Sequence, residues 1–169
     1  HLDLRDCESI NNSEHGVESW NGAAVTLINN RCEANNRNGI HADNGSATAI
    51  IEGNHLIGNR EFGLVIDSAS TGRITNNIIQ ANVLGGLVIR IGASNMVVTG
   101  NQTSQNQGPS MMVEKGLTAT NYTSNIISKN NGQQMLTDVI FATNTEPATP
   151  ESAAPRAKVV VMPQPPKSR

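Results

Sequence analysis

The sequence predicts an all-β fold: a right-handed parallel β-helix, a solenoid of about six coils with three short parallel sheets. Three observations predict it. Asparagines recur at two fixed phases with a period of 23 or 24 residues, apolar residues recur in columns between them, and the composition disfavours long helices. Asn is abundant, and Gly contributes 15 of the 169 residues. Aromatic residues make up only 2% of the chain, against 37% apolar overall, so Ile, Leu, Val, Ala and Met must fill the core. A thin solenoid core suits such residues.

The first phase holds Asn30, Asn54, Asn77, Asn101 and Asn125. The second holds Asn12, Asn35, Asn59, Asn82, Asn106 and Asn130, offset by five residues. Each coil therefore carries an N-x4-N pair, and Cys7 takes the first position one coil earlier. Sharp turns between strands favour Asn, which tolerates the left-handed backbone region. Amides stacked one strand spacing apart can also hydrogen-bond along the stack. These asparagines are thus expected to form ladders in the turns.

Gly16, Gly39, Gly63, Gly86, Ser110 and Gln134 follow the second Asn by four residues and precede a strand. Alternation then points Val17, Ile40, Leu64, Leu87, Met111 and Met135 inward, followed two residues on by Ser19, Ala42, Ile66, Ile89, Val113 and Thr137. The register leaves Gly108 and Gly132 in the preceding turn. A second inward column is Leu27, Ile51, Ile74, Val98 and Tyr122. A third is Cys32, Leu56, Ile79, Thr103 and Ile127. Each coil buries its apolar residues against its neighbours, so stability grows by stacking.

The β-helix domain is expected over residues 1–144, with an incomplete first coil. Residues 145–169 read as a Pro-rich tail, in which 158–162 could add a capping strand. The chain opens at His1 in mid-pattern, as a piece of a longer precursor would. Cys7 and Cys32 fit no metal or CxxC spacing and are expected as buried thiols in neighbouring coils rather than a disulfide. A net charge of −2 offers no field for a phosphate backbone, so nucleic-acid binding is disfavoured. No apolar run has the length of a membrane span. The sequons at Asn11, Asn44, Asn101 and Asn121 are expected by chance in so Asn-rich a chain.

Segments such as GNHLIGNREFGLVI and NNIIQANVLGGLVI resemble the repeat of the pectate-lyase-like superfamily. They also resemble the repeat module shared by carbohydrate-binding proteins and sugar hydrolases, including the periplasmic NosD-like group. The resemblance covers roughly residues 2–141. It implies a polysaccharide as partner, an extracellular or periplasmic location, and a site on the outer face of one sheet. It carries over no catalytic residue: the paired-Asp motif of the polygalacturonases and the DPHD string of the mannuronan epimerases do not occur.

The same alternation sets the outward columns. One runs Glu18, His41, Val65, Val88, Met112 and Leu136. The other runs Trp20, Asp43, Asp67, Arg90, Glu114 and Asp138, with carboxylates about one strand spacing apart. His41, Asp43, Asp67 and Arg90 are the candidate catalytic residues. Asp43 and Asp67 could share a calcium ion, Arg90 could fork onto a sugar carboxylate, and His41 could act as general acid or base. Trp20, Glu114 and Asp138 are the candidate substrate-binding residues, although Trp20 could instead cap the first complete coil. Such parts would suit a polysaccharide lyase, an epimerase or a glycoside hydrolase acting on an acidic polysaccharide. The column could equally be a solvated face on which Arg90 neutralises its neighbours. The chain would then be a structural or adhesive solenoid, or a fragment of a larger enzyme. His15 and His55 fall in or near turns and are weaker candidates.

Overall fold

The three inward columns of the sequence become three stacks of strands. The computed structural model describes residues 1–43, 48–67, 71–90, 96–113, 121–128, 130, 135–136 and 143–145. The first stack is β1 (Leu2–Arg5), β4 (Val25–Ile28), β7 (Thr48–Glu52), β10 (Thr71–Thr75) and β13 (Met96–Thr99). The second is β2 (Glu8–Ile10), β5 (Arg31–Glu33), β8 (His55–Ile57), β11 (Ile78–Gln80) and β14 (Gln102–Ser104). A long strand, β16 (Asn121–Ser128), ends both stacks and pairs with β18 (Thr143–Thr145). The third stack is β3 (Val17–Ser19), β6 (Ile40–Asp43), β9 (Phe62–Asp67), β12 (Gly85–Ile89), β15 (Met111–Val113) and β17 (Met135–Leu136).

All the pairings are parallel, and partners lie one coil apart in sequence, as in Ile40↔Leu64 and Leu87↔Met111. Each stack thus has six rungs, and β1–β15 make five complete coils of three strands. The inward columns supply the core. Leu27, Ile51, Ile74 and Val98 pack from the first sheet, Cys32, Leu56 and Ile79 from the second, and Ile40, Leu64, Ile66, Leu87, Ile89 and Met111 from the third. Ser110 is fully buried directly before β15, which starts at Met111, and Gly108 lies in the preceding bend.

Both asparagine ladders form. Asn59 Oδ1 accepts the backbone N–H and the Nδ2 of Asn35 at 3.1 and 2.9 Å, and Asn59 Nδ2 donates to Cys32 O and to Asn82 Oδ1 at 3.1 and 3.0 Å. Asn54 repeats the pattern between Asn30 and Asn77, with Leu27 O as the carbonyl. Every donor and acceptor of these buried amides is used, which removes the penalty of burying them.

One expectation about the turns is corrected. Among the described residues, the left-handed backbone sits one residue before the ladder asparagine, at Asn29, Gly53, Asn76, Gly100 and Ser124 in one ladder and Asn11, Ala34, Gly58, Ala81 and Gln105 in the other. The ladder residue itself must aim its amide inward along the stack, so the residue ahead of it takes the bend. The glycine column also has a role in the ladders. A Cβ on Gly39 would lie 2.8 Å from Asn59 Nδ2 and 2.7 Å from Gly63 O. The amide of the next coil occupies the space a side chain would need.

Both cysteines are free, but only Cys32 is buried, and burial pushes its thiol up to about 12. Cys7 is exposed, contrary to expectation, because it stands in the first rung and is covered by Asn30 from one side only. The capping strand anticipated at 158–162 lies outside the described residues.

Candidate functional site

The outer face of the third sheet carries the charged residues, and its register sets their neighbours. Glu18 pairs with His41, His41 with Val65, and Asp43 with Asp67. A histidine on β6 therefore has a carboxylate directly beside it on β3 and another one diagonal step away on β9. His41 Nδ1 lies 3.3 Å from Glu18 Oε1, and His41 Nε2 lies 2.8 Å from Asp67 Oδ2. Donating to both carboxylates takes a proton on each ring nitrogen, so the two acceptors favour the imidazolium form of His41. Its pKa is accordingly raised, chiefly by the Asp67 hydrogen bond, with Glu18 adding to it against the effect of burial.

Asp67 is the complementary half. Burial alone would raise its pKa, but the His41 hydrogen bond and the Arg90 charge outweigh burial and hold it below the usual carboxylate value. Arg90 reaches Asp67 Oδ2 with Nη1 at 3.4 Å. The other oxygen, Asp67 Oδ1, is buried and accepts no hydrogen bond among the described residues.

The array extends beyond the predicted residues at its other end. His15, in the turn before β3, places Nε2 3.5 Å from Glu18 Oε1, and its ring centroid stands 5.0 Å from that of His41. Asn38 N–H donates to His15 Nδ1 at 3.2 Å, so that nitrogen carries a lone pair and the proton sits on Nε2. Burial lowers the pKa of His15, against the pull of Glu18. His15, Glu18 and His41 bring one ligand-type atom each within 4.8 Å of one another.

The structure thus joins His41, Asp67 and Arg90 of the predicted site and adds Glu18 and His15. Asp43 is exposed at the end of β6, in register with Asp67. Asp67 Oδ2 is engaged by His41 and Arg90. Trp20 is 61% exposed. Glu114 and Asp138 lie outside the described residues. The outward column is not uniformly solvated either: Val65 and Val88 are buried, yet they stand outside the core cluster. β9 and β12 are therefore buried on both faces at these positions.

Glu18 was legible as the His41 neighbour in its own column. The signal for His15 was its spacing, three residues before Glu18 across a turn, which sequence periodicity does not register.

No curated protein and no solved structure matches this chain. The family model described as the right-handed beta helix region matches residues 1–132, the stretch that holds both ladders and the charged array. The chain belongs to the right-handed β-helix family, and its architecture fits the pectate-lyase-like superfamily at the level of fold.

Proposed function

We propose that this β-helix binds an acidic polysaccharide strand across the outer face of its third sheet, between Trp20 and Arg90. The observation that carries the reading is Arg90. Its side chain is 43% exposed, and a single nitrogen meets Asp67 at the long distance of 3.4 Å. The rest of its planar fork suits a uronate carboxylate. Three rungs separate Trp20 from Arg90, a span of about 14 Å at the strand spacing. A sugar chain running along the solenoid would meet Trp20, Asp43, Asp67 and Arg90 in turn, with the Trp20 indole as a stacking platform.

Binding is better supported than processing. A lyase or epimerase needs a group able to take a proton, and both nitrogens of His41 are committed to carboxylates. The second reading is a structural solenoid, favoured by the contacts His41 makes with both Glu18 and Asp67.

Trp20 is the single tryptophan of the chain, so its fluorescence reports on this face alone. Titration with polygalacturonate should change the emission, and a neutral glucan should not. Arg90→Gln should weaken uronate binding about tenfold, the equivalent of ~1.4 kcal/mol. If uronate polymers leave the emission unchanged and calorimetry detects no heat of binding, the structural reading stands instead.

A further inference from the structure

We propose that His15 Nε2, Glu18 Oε1 and His41 Nδ1 form a three-ligand site for one divalent transition ion of the zinc class. The proposal is independent of the carbohydrate reading, since it concerns the opposite end of the array from Arg90.

The distances support it. Zinc holds nitrogen and oxygen ligands at about 2.0–2.2 Å in tetrahedral geometry, which separates neighbouring ligand atoms by roughly 3.4 Å. Glu18 Oε1 lies 3.5 Å from His15 Nε2 and 3.3 Å from His41 Nδ1. Two edges of the tetrahedron are therefore present with Glu18 as it stands. The third, between the two rings, closes by a small tilt, because all three atoms already lie within 4.8 Å. The ligand set selects a transition ion: two imidazoles and one carboxylate suit zinc, cobalt, nickel or iron(II), whereas calcium takes oxygen ligands.

The surroundings support it as well. Asp67 accepts from the far nitrogen of His41 at 2.8 Å, and Arg90 backs Asp67. This carboxylate–histidine arrangement orients a metal-bound imidazole and raises its basicity. It gives Asp67 a place behind the ligand rather than among the ligands. His15 is only 5% exposed and forms a rigid anchor, while Glu18 and His41 are open enough to leave a fourth position for water.

Two contacts oppose the ion: His41 Nδ1 must give up the proton it shares with Glu18, and the tautomer of His15 must change. Metal on His15 Nε2 moves the proton to Nδ1, and Asn38 N–H then loses its acceptor. Losing one such hydrogen bond lowers affinity by about 10- to 100-fold. The cost at His41 falls as pH rises, because the ligands must be deprotonated, so zinc affinity should increase with pH.

The test uses the full chain, stripped with a chelator and titrated with zinc chloride by calorimetry, with cobalt(II) absorption as a second readout. One ion should bind per chain, with a tetrahedral cobalt spectrum, and excess calcium should not displace it. Glu18→Gln and His41→Ala should each weaken zinc by at least about 100-fold. Asp67→Asn should weaken it about 10- to 100-fold, as the loss of a group supporting a ligand does. His55→Ala, on the second sheet, should leave affinity unchanged. Circular dichroism on each variant separates lost binding from lost folding, and Glu18→Gln serves should His41→Ala not fold. The proposal is overturned if no stoichiometric zinc binding is found, or if folded Glu18→Gln binds zinc as tightly as the parent.

Discussion

Replacing one ladder asparagine by alanine tests what holds the coils together. Asn59 sits at the centre of the second ladder and is fully buried. Asn59→Ala deletes the acceptor of Asn35 N–H and Asn35 Nδ2 and the donor to Cys32 O. It leaves Asn82 Oδ1 short of one donor, although Asn59 N–H still reaches that oxygen at 3.0 Å. Three buried groups thus lose their only ladder partner. Each such orphan costs about 1–3 kcal/mol, and partial relaxation keeps the total to roughly 4 kcal/mol, at the upper end for single substitutions. The volume removed is small, so the cost is almost wholly polar. The assay is urea denaturation followed by circular dichroism, with Asn36→Ala as the control. Asn36 is exposed beside the ladder and should change stability by less than ~0.5 kcal/mol. A loss below about 1 kcal/mol for Asn59→Ala would refute the reasoning, because the ladder amides would then be replaceable by water or by backbone adjustment.

Other outcomes follow from the turns and the charged face. Ala81 holds a φ of 57°, so Ala81→Gly should gain about 1 kcal/mol in the same urea assay by relieving left-handed strain. Gly39→Ala should lose about 1–3 kcal/mol, since its Cβ must displace both Asn59 Nδ2 and the Gly63 carbonyl; an unchanged urea midpoint would contradict this. In chelator, the pH dependence of stability should separate the two histidines. The folded pKa of His41 is raised, so its contribution is complete below 6.5 and is lost as pH rises through the folded value. Asp67 is lowered, so its contribution is present above 3.8 and is lost as pH falls through its folded value. The His41–Asp67 pair thus stabilises most between about 4 and 6.5, and the difference between parent and His41→Gln should be largest there. His15 is lowered, so its contribution is present above 6.5 and is lost in acid, and His15→Gln should flatten the acid limb.

The register of the fold was legible because it is written twice. Two asparagine phases and three apolar columns are all set by one coil length, and each checks the others. That was enough to place Ile40, Leu64 and Leu87 inside and His41 and Asp67 outside. Alternation along a strand assigns a face, and the family match covers the same stretch. What the sequence could not decide depends on directions between strands and across turns. The bend falls at Ala34 and Ala81 rather than at Asn35 and Asn82, because the amides must point along the stack. Val65 and Val88 share a column with His41 yet are buried, since parity names a face without saying what solvates it. The charged column looked like a row of carboxylates relieved by one arginine. Only the tertiary structure shows that Asp67 of this column reaches His41 of the neighbouring column, which also meets Glu18, because the diagonal reach of a side chain belongs to the sheet and not to the strand.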